Sequence, residues 1–186
     1  PQFDAEEWVL ENGAKVVFRK ADYEKDQVQV ASYSKGGTSL YDVDKLASAM
    51  VTDQFIGAYG LGGYDAITLR KLLTGKQAQA GVSISGLSES VGGASTPKDF
   101  ETLMQLIYLR FEKPRFDKEV HQTMMQRNYA AIENSGNNPQ KIMQDSVSRI
   151  MSNYSPRTLS FGKEFLDKVS IEQIEEIYRD RIKDIS

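Results

Sequence analysis

The chain has no cysteine and only one histidine, His121. Without cysteine it has no disulfide, thiolate metal site, iron–sulfur cluster or cysteine nucleophile. The single histidine is the sharper limit. Zinc enzymes usually draw on two or three imidazoles, which this chain cannot supply. A Ser–His–Asp triad would have to be built on His121 alone. Long apolar runs are also missing, and none approaches the roughly 18 residues of a membrane-crossing helix. Nor is there an excess of positive charge. The 23 Lys and Arg stand against 26 Asp and Glu, a net charge of -3, which gives no general attraction to nucleic acid or anionic lipid. The start, Pro1-Gln2-Phe3-Asp4-Ala5-Glu6-Glu7, lacks the basic-then-apolar order of a signal peptide. It also lacks an initiator Met, so the expectation is a processed protein or a piece of something longer.

What is present is the composition of an ordinary globular domain. The 186 residues are 40% hydrophobic and 26% charged, enough for one domain with a substantial core.

The first third reads as β. Trp8-Val9-Leu10-Glu11 and Ala14-Lys15-Val16-Val17-Phe18 flank Asn12-Gly13, a hairpin signal in which both turn residues are expected at positive φ. Val28 to Ser34 alternates with period two and runs into Gly36-Gly37. A helix is predicted from about Asp44 to Tyr59, with Leu46, Ala47, Met50, Val51, Phe55 and Ala58 as its stripe. Asp65 caps a short helix bearing Ile67, Leu69, Leu72 and Leu73. A second β block spans Gln77 to about Val91, turning near Ser85-Gly86 and closing at Gly92-Gly93-Ala94-Ser95. From Thr96-Pro97 onward the chain reads as helical. One helix carries Phe100, Leu103, Met104, Ile107 and Phe111 and ends at Lys113-Pro114. The next opens at Asp117 and fades at Asn134-Ser135-Gly136-Asn137-Asn138. A third opens at Pro139, with Ile142, Met143, Val147, Ile150 and Met151. In the last, Ser170 and Gln173 form a capping box, stapled by Val169 and Ile174. The fold class is therefore α+β in two layers, a mostly antiparallel sheet of five or six strands with helices packed on one face.

The residues alone offer no active site. His121 has no partner at helical spacing and reads as a partly exposed surface residue. The glycine-rich stretch Gly57–Gly63 follows a helix and has no Lys after it, so it reads as a tight connection and not a phosphate loop. Asp42 and Asp44 read as helix-capping acids. Gly36-Gly37 and Gly92-Gly93 read as strand ends. Met124, Met125, Met143 and Met151 occur at core spacing. Glu172, Glu175, Glu176, Arg179, Asp180 and Arg181 read as one solvated helix face.

The order of parts resembles a domain of the pitrilysin/insulinase (M16) metallopeptidases. Leu10-Glu11-Asn12-Gly13-Ala14-Lys15-Val16 is similar to that family's opening L-x-N-G-x-x-V hairpin. Val28-Gln29-Val30-Ala31 running to Gly36-Gly37-Thr38-Ser39 resembles its strand before a Gly-rich turn. Leu106 to Pro114-Arg115-Phe116, then Asn138-Pro139, then Val169-Ser170-Ile171-Glu172-Gln173-Ile174 continue the match.

In the family's catalytic domain, the helix after the Gly turn carries His-x-x-Glu-His, and a distal Glu ligand sits on a later helix. Residues at i and i+4 face the same way, so both imidazoles reach one zinc ion. Matching Leu46-Ala47 to the residues before the first His puts the motif on Ser48, Val51 and Thr52. None of the three serves as a ligand or base, and the stretch from His121 to Asn128 carries no Glu.

The resemblance therefore implies residues 1–186 as one M16-like domain without zinc, a piece of a longer chain. It implies a catalytic M16 half as partner, zinc held in that half, and peptide as substrate. No nucleic acid partner and no membrane span are expected. The resemblance points to a bacterial periplasm or cell envelope. Two other readings stand beside it: a structural or assembly subunit with a degenerate M16 fold, and a binder that adds an extended peptide to a sheet edge.

Overall fold

A computed structural model describes residues 4–21, 23–24, 26–135 and 138–183. The expected helix end at Gly136-Asn137 and the terminal Asp184-Ile185-Ser186 lie outside the described residues.

The chain opens with a hairpin of β1 (Glu6–Val9) and β2 (Lys15–Phe18), paired from Glu6↔Phe18 to Val9↔Lys15. Leu10 N–H donates to Ala14 O and Gly13 N–H to Leu10 O, both at 2.9 Å. Only Gly13 of the turn has positive φ, at 85°. The connection is thus a three-residue loop with glycine at its left-handed position, not a two-residue turn with Asn12 also left-handed. Asn12 Oδ1 instead accepts from Ala14 N–H.

This hairpin is a sheet of its own. The second sheet centres on β6 (Ser88–Ser95). Along one side runs β5 (Ala78–Ile84), antiparallel, from Ala78↔Ser95 to Ile84↔Glu89. Along the other lie β3 (Val28–Ala31) and β4 (Ser34–Lys35). Six strands are therefore present among the described residues, split two and four, where one sheet of five or six was expected. Gly92-Gly93 is not a strand end. It lies inside β6 between two neighbours, where an added Cβ would strike the Val30 and Gln79 carbonyls.

Seven α-helices are described, of which the first and third lie directly against one face of the larger sheet. They are α1 (Val43–Tyr59), α2 (Ala66–Leu72), α3 (Phe100–Glu112), α4 (Lys118–Ser135), α5 (Pro139–Met151), α6 (Lys163–Leu166) and α7 (Ile171–Arg181). The opposite face shows Gln29, Ala31, Gln79, Gly81 and Ser83 to solvent. Val51, Phe55 and Tyr59 of α1 meet Leu103 of α3, Ile174 and Tyr178 of α7, and Val91 of β6 in the core. In α3 the buried stripe is Leu103, Leu106, Ile107 and Arg110, while Phe100 and Met104 are exposed.

Two helices depart from the sequence pattern. No residue of α2 or α5 is buried. Ile142, Met143, Val147, Ile150 and Met151 form the expected stripe on α5, but it faces solvent. Met143 and Met151 are therefore not core residues, whereas Met124 and Met125 pack against the core.

Candidate functional site

Asp42 occupies the N-cap of α1 without a side-chain cap bond, and Asp44 sits in the first turn. The helix then runs beneath the N-terminus of α7. Ser48, Val51 and Thr52 lie on its inner face, and the two hydroxyl residues are fully buried. Ser48 Oγ donates to Gln173 Oε1 at 2.7 Å, with the Lys168 carbonyl 3.3 Å away. The same oxygen accepts Ser170 N–H at 3.1 Å. Thr52 Oγ1 donates to Ser48 O at 2.8 Å, the back-bonding habit of a helical hydroxyl.

This donor set does not fit zinc. It offers no imidazole, thiolate or carboxylate, and its best oxygen is already committed three ways. Among the described residues, no three His, Asp or Glu side chains converge to hold a metal ion. Above Ser48 lies an open groove of about 830 Å³, lined by Asp42, Asp44, Asp167, Lys168, Ser170 and Gln173. Gln173 thus links the groove to the buried serine.

Ser170 caps α7, accepting Gln173 N–H at 3.2 Å as its spacing predicts. The reciprocal half of the capping box differs. Gln173 turns to Ser48, and Ser48 takes the Ser170 N–H in its place. No local pattern signals this, because Ser48 and Gln173 are 125 residues apart.

His121 is buried, at 9% exposure, and not a surface residue as expected. Its Nδ1 lies 2.7 Å from Tyr59 Oη, and Phe55 packs on the ring at 5.1 Å between centroids. Burial lowers the imidazole pKa below its ordinary value, while Glu172 opposes that shift. Burial raises the Tyr59 pKa, with Asp117 and Glu172 adding to it. At neutral pH the pair is uncharged and joins α1 to α4. Asp117 caps α4 through Glu119 N–H and Val120 N–H. Its carboxyl titrates below the usual range because of the Val120 amide first and Arg115 next.

The far end of α7 is also tied down, so Asp180 and Arg181 are not part of a purely solvated face. Tyr41 Oη donates to Asp180 Oδ2 at 2.9 Å. Arg181 reaches the buried Glu89 at 3.6 Å, and Glu89 accepts Gly37 N–H at 2.6 Å. Arg181 and Glu89 crowd Gly36 so closely that a Cβ there would collide with both. Of the Gly57–Gly63 stretch, residues 57–59 still belong to α1, and the tight connection begins at Gly60. Gly60, at φ 97°, lets the chain double back onto Tyr64 and Asp65, and Gly62 N–H donates to Lys113 O.

No protein-family model matches the chain, and neither does any curated protein. Solved structures do. The periplasmic protease PqqL from Escherichia coli superposes with a TM-score of 0.79 at 14% identity, over 96% of this chain and 20% of that one. The ferredoxin protease FusC, solved with Arabidopsis ferredoxin, gives 0.79 at 15% identity, over 97% and 20%. A peptidase M16 inactive domain from Pseudomonas fluorescens gives 0.71 at 17% identity, over 94% and 42%. The chain has the fold of an M16 peptidase domain. It spans about a fifth of the length of the first two M16-fold relatives. At 13–17% identity the likeness lies in the order and spacing of elements and not in matched residues.

Proposed function

We propose that this chain is the opening domain of the zinc-free, non-catalytic half of an M16-type metallopeptidase. It forms wall and hinge contacts that help enclose a peptide substrate and close a clamshell around a catalytic half located elsewhere. Zinc and hydrolysis belong to that half. In this reading Ser48, Val51 and Thr52 stand where the catalytic domain carries its His-x-x-Glu-His.

One observation carries the reading. The Ser48 hydroxyl, which this reading sets at the first ligand position, donates to Gln173 and accepts Ser170 N–H, and so clamps α1 to α7. Helix packing has taken over the chemistry of that position. The likeness to an M16 inactive domain supports the same reading.

The test is complementation. The purified chain is added to the zinc-bearing half encoded beside it or fused to it, and turnover of an unfolded peptide is followed. A rise in turnover with saturable dependence on this chain is expected. Unchanged turnover despite stable association would favour the structural or assembly role instead.

A further inference from the structure

The longest strand edge open among the described residues belongs to β5, seven residues that pair only with β6. Ser85 N–H donates to Ser88 O at 2.8 Å, and Thr96 N–H to Gln77 O at 3.1 Å. The register between these ends advances without a break. The odd-numbered residues of β5 therefore turn their backbone groups toward β6, and Ala78, Ala80, Val82 and Ile84 turn theirs outward. Such an edge is a template for another extended chain.

The central outward carbonyl is already taken. Arg110 Nη2, from α3, donates to Ala80 O at 3.3 Å. Arg110 is 8% exposed, and its Nε is buried with no hydrogen-bond partner. Among the described residues it forms no ion pair. Burial lowers the guanidinium pKa, partly offset by Tyr178. A buried cation without a counter-ion is unfavourable for folding, and an apolar side chain of similar volume would occupy the site at less cost. Stability therefore does not explain Arg110, but its place on the edge does.

We propose that Arg110 closes the β5 edge against strand addition: by holding the Ala80 carbonyl it denies an extended peptide its central backbone contact. The contact is autoinhibitory and local to this chain, so it stands whether or not a catalytic half exists. It excludes extended backbone of any sequence, including a second copy of this chain. A domain that walls in peptide without pairing to it gains from such a device.

The experiment titrates isotope-labelled protein with a blocked heptapeptide of alternating Thr and Val, and follows backbone amide shifts. Wild type is expected to show none across Ala78–Ile84 at millimolar peptide. Arg110→Met keeps an unbranched apolar stem and removes the donors. It is expected to melt at an equal or higher temperature, to shift at Ala80 and Val82 on titration, and to self-associate with rising concentration in sedimentation. Arg110→Lys keeps a cationic donor and should behave as wild type. Should Arg110→Met fail to fold, Arg110→Gln, too short to hold Ala80, is expected to show the same gain. Peptide-induced shifts along β5 in wild type, or a folded Met or Gln variant that stays inert, overturn the proposal.

Discussion

Ser48 and Gln173 share a 2.7 Å hydrogen bond that completes the cap of α7 from outside the helix. Removing the hydroxyl leaves the Ser170 N–H and the Gln173 amide oxygen without their partner. Ser48→Ala is expected to cost about 1–3 kcal/mol, the range for orphaning buried polar groups. Denaturant unfolding gives the magnitude. Hydrogen exchange gives the place, with protection lost first at Ser170 in the α7 cap and not in β6.

Rebuilding the motif should fail. Ser48→His, Val51→Glu and Thr52→His together place large polar groups where the core is closed, beside Phe55 and Tyr59. The triple variant is expected to fold less stably than wild type and to bind no stoichiometric zinc, because no distal carboxylate converges on the site. Elemental analysis after dialysis checks this.

The Tyr59–His121 pair makes stability fall on mild acidification. The folded-state pKa of His121 lies below its ordinary 6.5. Above that value both states are neutral and stability is full. As pH falls below it, the unfolded chain takes up a proton that the folded chain refuses, and stability drops until the folded pKa is passed. The carboxylates with lowered pKa, such as Asp117, act only below the ordinary aspartate range. Melting temperature should therefore decline between pH 7 and 5.5 in wild type and stay flatter in His121→Gln.

Gly93→Ala tests the crowding inside β6. Its Cβ would collide with the Gln79 carbonyl and with Leu103. A cost of about 1–3 kcal/mol is expected, as for other overpacked sites, whereas Gly57→Ala meets open space and should be neutral or stabilising. Paired thermal melts of the two variants decide it.

Surface and core methionines and isoleucines should separate in the same way. Met151→Gln, on exposed α5, is expected within about 0.5 kcal/mol of wild type. Ile174→Ala, fully buried in α7, should cost about 2–5 kcal/mol.

These contrasts mark what the sequence revealed and what it hid. Periodicity located α1, α3 and α7 because each buries apolar residues in the shared core, α1 and α3 against the sheet and α7 against α1, and Asp65, Asp117 and Ser170 announced their helices through local hydrogen bonds. The pattern on α5 was equally clear. But amphipathicity records an apolar face without naming what covers it, and the stripe lies exposed. The hairpin was legible from Leu10 to Ala14, yet its detachment was not, since strand pairing depends on distant partners. His121 was misplaced for the same reason, because Tyr59 is 62 residues away. At the candidate site, the absence of ligands at Ser48, Val51 and Thr52 could be read from residue identity. The use found for Ser48 could not, because Gln173 had been assigned to a local cap.

A domain of this kind carries no catalytic metal. The most direct measurement is zinc content by mass spectrometry on the purified 186-residue chain, run beside an assay on unfolded peptides. Substoichiometric zinc that dialysis removes, and no cleavage, is the expected result. One tightly held zinc per chain, or peptide cleavage that a chelator abolishes, would contradict it.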